Sequence, residues 1–296
     1  MTQLKAKALP LPSRSLLRSL LQKCVRRGYG ELAKHVAYTL GSYGDSLWLR
    51  SRTGVIVFEE CWQAAHMLQS EPTIVLLEKV ASFVKNKDAA GLGSLGYAVS
   101  TGDMSPIEKH PEPLPIKIIA AGLERPESFF KWARERCKNE IQESVVNNAA
   151  ALYPKATWHW DKAFIIAGAY LSTHPSTPDT SISKTIYTDP FPFWVAVDKH
   201  TPQGKRALRN AAMKLNIKEH HLQWMSFYFE SSTTNQIQAS PWWETEVSWR
   251  FARLGLEISE AKKIWADISQ QIAASVKNES EEIQNILFST EKPKLL

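Results

Sequence analysis

The run Trp194-Val195-Ala196-Val197-Asp198-Lys199-His200-Thr201-Pro202 holds the residues best placed for chemistry. Asp198 and His200 could act as an orienting carboxylate and a general base, or as two metal ligands lacking a third. The same run also reads as a helix start, because Thr201 before Pro202 suits a capping residue ahead of a first-turn proline. Lys199, Lys205, Arg206 and Arg209 lie close by and are candidates for phosphate contact. Capping and loop fixing rank first among these readings, phosphate contact second and catalysis by Asp198 and His200 third.

Gly91, Gly93 and Gly96 spell Gly-x-Gly-x-x-Gly, a spacing that lets a backbone approach a pyrophosphate when a strand precedes it and a helix follows. The residues before it read instead as a helix ending in Lys85-Asn86-Lys87-Asp88, so the string is taken as a loop. No Gly-x-x-x-x-Gly-Lys-Ser/Thr occurs, since Gly204-Lys205 has Lys199 where the first glycine belongs. No ATPase activity is expected of the chain alone. Trp158-His159-Trp160-Asp161 could stack a base, although such clusters more often pin the start of a helix into a core. His220-His221 lacks a Glu-x-x-His companion. Cys24, Cys61 and Cys137 are scattered and odd in number, which points to reduced thiols and a cytoplasmic setting. No catalytic residue, metal site or cofactor is expected from these patterns.

Charge is distributed unevenly. Between Met1 and Val55 stand Lys5, Lys7, Arg14, Arg18, Lys23, Arg26, Arg27, Lys34, Arg50 and Arg52 against only Glu31 and Asp45. Between Glu257 and Glu291 the acids Glu257, Glu260, Asp267, Glu279, Glu281, Glu282 and Glu291 outnumber Lys262, Lys263 and Lys277. Concentrated cations near the amino end suit a polyanion, with Arg14, Arg18, Lys23, Arg26 and Arg27 as candidate nucleic-acid contacts; a solvated helix face is the plainer reading. The eleven tryptophans read as core, or as stacking and partner surfaces. No apolar run approaches membrane-spanning length and no secretory leader is legible, so a non-membrane, cytoplasmic protein is expected.

The elements that must position these residues are helices. Ser13 caps a helix whose Leu16, Leu17, Leu20, Leu21, Cys24 and Val25 recur at three-to-four spacing until Gly28-Tyr29-Gly30. A second helix covers Glu31 to Leu40, and Asp45 caps a third running toward Leu68. Later helices are expected from Thr73 to Val84, from Pro126 to Leu152, from Trp160 to Leu171, from Gln203 to Leu215 and from Lys218 to Tyr228. A Trp-rich helix opens at Pro241, and an amphipathic helix pair follows from Ser259. The glycines and prolines of 91–115 predict a hinge, and 176–192 a surface loop. The expectation is therefore an all-α, multi-helix bundle in two lobes: a flexible lead (1–12), an N-terminal lobe (13–90), the hinge (91–115) and a C-terminal lobe (116–296).

Leu32 to Trp62 resembles the C-terminal helical region of the replication-associated recombination ATPases, the clamp-loader-like AAA+ family that includes the Werner helicase-interacting protein. The family's Gly-Glu-Asp-Pro turn falls on Gly44-Asp45-Ser46, its second arginine on Arg52, and its Glu-Asp pair on Glu59 and Glu60. Ser51 replaces the first arginine and Trp62 a usual glycine. Ala169-Tyr170-Leu171 with His174-Pro175-Ser176 is similar to the family's Tyr-Leu-x-x-x-Pro-Lys-Ser element, without its lysine. The resemblance implies an all-helical module that oligomerises or engages DNA beside a separate ATPase, this chain lacking the ATPase portion. On that reading Arg52, Glu59, Glu60, Trp62, Trp242 and Trp243 are candidate assembly or partner residues, Arg52 and Glu59 alternatively forming a plain helix-to-helix ion pair. DNA, a separate AAA+ ATPase and further copies of the chain are the candidate partners. The expected role is a non-ATPase accessory protein in DNA replication, recombination or repair; the alternatives are a protein-interaction scaffold without nucleic-acid binding, or an enzyme using Asp198 and His200.

Overall fold

The first helix, α1 (Arg14–Arg27), begins where the Ser13 side chain accepts the Leu16 N–H and ends where Gly28 turns left-handed at φ 84°, donating to the Cys24 and Val25 carbonyls. Its Leu17, Leu20, Leu21, Cys24 and Val25 are buried, and α2 (Gly30–Ser42), α3 (Ser46–Cys61) and α4 (Thr73–Ser82) pack around it. The computed structural model of the chain describes residues 13–108, 110–174, 181–182, 193–234 and 236–278. The expected lead (1–12), nearly all of the loop at 176–192, and the acidic stretch from Glu279 onward lie outside the described residues. Among those that are described, fifteen α-helices occur with no strand beyond isolated bridges, so the fold is all-α.

The hinge expected at 91–115 is corrected by α5 (Asp88–Ser100), a buried helix at the middle of the bundle. Its glycines are contact points. A Cβ on Gly91 would lie 2.3 Å from the Trp242 carbonyl oxygen, one on Gly93 2.8 Å from that of Ala163, and one on Gly96 2.5 Å from Ile119. Three helices thereby approach α5 closely: α7 (Leu114–Glu124), α10 (His159–Ser172) and α14 (Pro241–Arg253). Close helix packing offsets the helix-propensity penalty of glycine, which is about 1 kcal/mol per residue. The short α6 (Ser105–Glu108) follows α5.

A single helix expected from Pro126 to Leu152 is instead two, α8 (Pro126–Arg134) and α9 (Glu140–Leu152). Asn139 opens α9 by accepting the Gln142 N–H, and the Gln142 side chain accepts the Lys138 N–H in return. The third helix stops at Cys61, and a 3-10 segment carries Trp62–Leu68. Asp45 makes no side-chain cap on it. The remaining helices are α11 (Phe193–Ala196), α12 (Pro202–Leu215), α13 (Glu219–Ser226) and α15 (Ile258–Ser275).

Two apolar clusters organise these helices. One runs from Leu17 to Val195 and takes in α1 to α5 and α7 to α10; the other, from Ala196 to Val276, holds Leu208, Leu222, Met225, Tyr228, Phe251, Trp265 and Ile268. The chain passes from one cluster to the other at Val195 and Ala196, and 91–115 does not divide them. Helix α14 belongs to both, with Trp242 and Trp249 against the first cluster and Trp243 and Phe251 in the second. No described helix is long and apolar enough to cross a membrane.

The glycine contacts make a paired prediction. Gly91→Ala drives a methyl into the Trp242 backbone and should lower unfolding free energy by about 3 kcal/mol. Gly41→Ala, with open space around its Cβ in α2, should raise it by about 0.5–1 kcal/mol. Urea unfolding of both variants checks the contrast.

Candidate functional site

On α1 the cations do not form an outward face, which corrects the polyanion surface expected there. Arg26, 3% exposed, donates from Nε to Glu60 (2.6 Å), from Nη2 to Glu59 (2.7 Å) and from Nη1 to the Ser231 carbonyl (2.6 Å). Arg27 reaches the Glu230 side chain at 3.0 Å and the Thr233 hydroxyl, with its guanidinium 4.9 Å from the Trp194 ring centre. Lys23 meets Asp198 at 2.5 Å and Ser19 at 2.7 Å. Arg18 pairs with Asp45 at 2.9 Å and lies over Trp48. Arg14, exposed, donates to the Tyr43 carbonyl and stands 3.6 Å from Asp45. Acids from α3, from the loop before α12 and from the turn after α13 thus meet Lys23, Arg26 and Arg27 inside the protein, while Asp45 holds Arg14 and Arg18 nearer its surface.

The residues matched by the family resemblance enter the same cluster. Arg52 reaches Asp161 at 2.8 Å, Glu59 at 3.5 Å and the Gln22 side chain, so it ties α3 to α10 and α1. Glu59, Glu60 and Trp62 are buried. Arg52 is part-buried, and all but Trp62 of these four are held by ion pairs within the chain. Trp242 and Trp243 are part-buried, Trp242 stacked on His110 and Trp243 under the Lys87 ammonium at 4.2 Å.

Two buried lysines border the cluster. Lys85 donates to the Val80, Ala81 and Phe83 carbonyls, filling the C-terminal end of α4 where the helix dipole favours a cation. Lys87 lies 3.7 Å from Glu60 and 3.5 Å from the Ser232 carbonyl. Burial brings both ammonium groups down to about 8. Burial pushes the Glu60 carboxyl up, but Arg26 and Lys87 pull it down further, and the net shift is down.

Asp198 is a loop fixer. It accepts from Lys23, from the Ser19 hydroxyl, from the His200 backbone N–H at 3.1 Å and from His200 Nδ1 at 2.9 Å. Burial raises its pKa, the Lys23 and His200 contacts lower it, and it ends well below the usual carboxylate range. Thr201 caps α12 through the Gly204 N–H at 3.0 Å. Lys199 turns its ammonium onto the Trp224 ring, 3.1 Å from the centre, and burial with Arg250 nearby lowers it to about 7. That orientation removes Lys199 from the phosphate-contact set.

Helix α12 carries a group of exposed cations. Gly204, Leu208, Ala211 and Ala212 face inward, while Lys205, Arg206, Arg209, Asn210, Met213 and Lys214 are exposed, as is Lys218 just beyond. At 100° per residue those outward positions cover one half of the helix circumference. Arg209 alone among these cations has an ion-pair partner within the described residues, Glu219 at 3.3 Å. Lys214 and Lys218 were not singled out from sequence; Lys214 lies at the edge of the outward half, and Lys218 follows the left-handed Asn216 that ends α12.

Beside this surface, α13 continues into a π-helical turn, Phe227–Ser231. Trp224 stacks on Tyr228 (5.7 Å, 21°) and Tyr228 meets Trp243 (5.6 Å). The Tyr228 hydroxyl donates to the buried Glu246, which also accepts from Arg250. Arg250 lies over Trp224 and Trp249 at 4.2 and 4.3 Å. Among the described residues no group of His, Cys, Asp and Glu could hold a metal ion. Among the described residues the protein is all-helical, with an internal charge cluster and a cationic face on α12. No family model, curated protein or solved structure matches this chain.

Two measurements follow from the cluster. Glu60→Ala leaves Arg26 and Lys87 short of counter-charge and should cost about 3–5 kcal/mol in urea unfolding. Lys85, Lys87 and Lys199 have lowered values in the folded state, so their contribution is complete above about 10.5 and is lost as pH falls through about 8 and then about 7. The urea midpoint should therefore drop between pH 9 and pH 6.5, and Lys199→Met should shrink the lower part of that drop.

Proposed function

We propose that this chain is a non-ATPase helical accessory protein that binds nucleic acid through the outward face of α12. The observation that carries the reading is the set of exposed cations at Lys205, Arg206, Arg209 and Lys214, with Lys218 just beyond the helix; among the described residues only Arg209 has an ion-pair partner, Glu219. Unopposed cations on one face release counterions from a phosphate backbone, which supplies affinity without sequence preference. The resemblance of Leu32 to Trp62 to the replication-associated recombination ATPases supplies the setting, DNA replication, recombination or repair, and a separate AAA+ ATPase as candidate partner. The internal pairing of the α1 cations favours a second reading, a protein-interaction scaffold without nucleic-acid affinity.

Salt titration separates the two. Wild type should bind short single strands and duplexes with log affinity falling linearly in log salt. The triple variant Lys205→Glu, Arg206→Glu, Arg209→Glu should lose about tenfold or more in affinity at low salt, with a slope shallower by about 2 to 3. Lys262→Glu with Lys263→Glu, exposed on α15, should change little. No salt-dependent binding by wild type, or equal losses in both variants, refutes the α12 interface.

A further inference from the structure

Next to the π-helical turn is a cavity of about 370 Å³, bordered by Tyr228, Ser232, Gln238, Ser240, Trp243 and Glu244. That volume falls within the range of small-molecule sites, and π-helical turns recur at functional positions. The wall is aromatic on one side and hydroxyl, amide and carboxylate on the other. Trp243 has the Lys87 ammonium on its ring, yet it remains part-exposed where it borders the cavity. Ser240 is 2% exposed, and its oxygen accepts the Lys87 backbone N–H at 3.2 Å, which leaves its own hydrogen to donate. Glu244 is exposed and borders the cavity.

Ser240 and Glu244 stand one helical turn apart, the Glu244 N–H donating to the Ser240 carbonyl at 3.0 Å. Ser240 is the N-cap residue of α14 and Glu244 lies in its first turn, so one hydroxyl donor and one two-oxygen acceptor both border the cavity. An aromatic path leads there from the start of α12: Lys199 lies on Trp224, Trp224 stacks on Tyr228, and Tyr228 meets Trp243.

We propose that this cavity receives one unstacked guanine base of a single strand whose phosphates lie along α12. The ring lies against Trp243, its N1–H and N2–H donate to the Glu244 carboxylate, and its O6 accepts from the Ser240 hydroxyl. Adenine and cytosine lack the paired donors beside a carbonyl, and thymine has a single ring N–H flanked by acceptors. Stacking gives affinity for any base, whereas the carboxylate gives the preference. The inference rests on the α12 reading for its strand, and the two fail differently.

The test uses the full chain and short thymidine oligonucleotides that carry one central dT, dA, dC or dG, with guanosine monophosphate as a free-nucleotide arm. The dG strand should bind about tenfold tighter than the others, a size of preference that one two-bonded base contact gives. Glu244→Gln should bring the dG strand's affinity to that of the dT strand measured on the same folded variant. Equal, salt-dependent binding of all four strands leaves the α12 contact standing and overturns the guanine subsite. Guanosine monophosphate binding as tightly as the dG strand also overturns it, in favour of a free-nucleotide site, and no binding of any strand overturns both readings.

Discussion

Arg26 donates through three nitrogens to three places: Glu59 and Glu60 on α3, and the Ser231 carbonyl in the π-helical turn. A guanidinium enclosed this way has lost its water, and only a full set of partners offsets that loss. The positions of α1, α3 and the turn are therefore tied to one another through a single side chain. Glu60 extends the constraint to Lys87, and Glu59 extends it to Arg52 and so to Asp161 on α10. Removing any member leaves another charge stranded in a medium where it cannot be solvated.

The same interactions join the two apolar clusters. Arg27 to Glu230, Lys23 to Asp198 and Arg26 to Ser231 all cross from the side of the first cluster to that of the second. Apolar contact alone would let one cluster slide against the other, because it is not directional. Charge-assisted hydrogen bonds fix direction and distance. Helix α14, with tryptophans on both sides and its backbone against Gly91, supplies the apolar part of the joint.

Much of the helical frame was legible in the residues. Ser13 and Gly28 bounded α1, Thr201 and Pro202 opened α12, and Pro241 opened α14, each through a local mechanism that needs no tertiary information. The glycines of α5 were not legible as a helix, because their value depends on which backbones come close, and local propensity argues the other way. The break before α9 does have a signal: Asn139 followed by Gln142 is a capping pair, and it competes with the longer apolar pattern that spans both helices. Nothing local marks Lys85 and Lys87 as buried, since their partners come from α4, Glu60 and residues far along the chain. The cationic face of α12 could be read in part, and the cavity at the π-helical turn could not, since helix periodicity does not register an extra residue in the turn.

Why the cations of α1 and of α12 end so differently is the remaining question, and the apolar residues beside them answer it. On α12 the inward residues fill one side only, so its cations have water available on the other. In the last turn of α1, Lys23, Cys24, Val25, Arg26 and Arg27 are all buried, which places every direction around the helix against protein. Charges in such a turn must find acids, and the acids have a matching oddity: Glu59 and Glu60 directly follow the buried run Val55 to Phe58. A carboxylate pair embedded among buried apolar residues requires cations of its own, since neither acid can be left unpaired in the interior. Charge set inside an apolar run thus belongs to the internal framework, and charge set opposite a one-sided apolar stripe remains free to meet a polyanion.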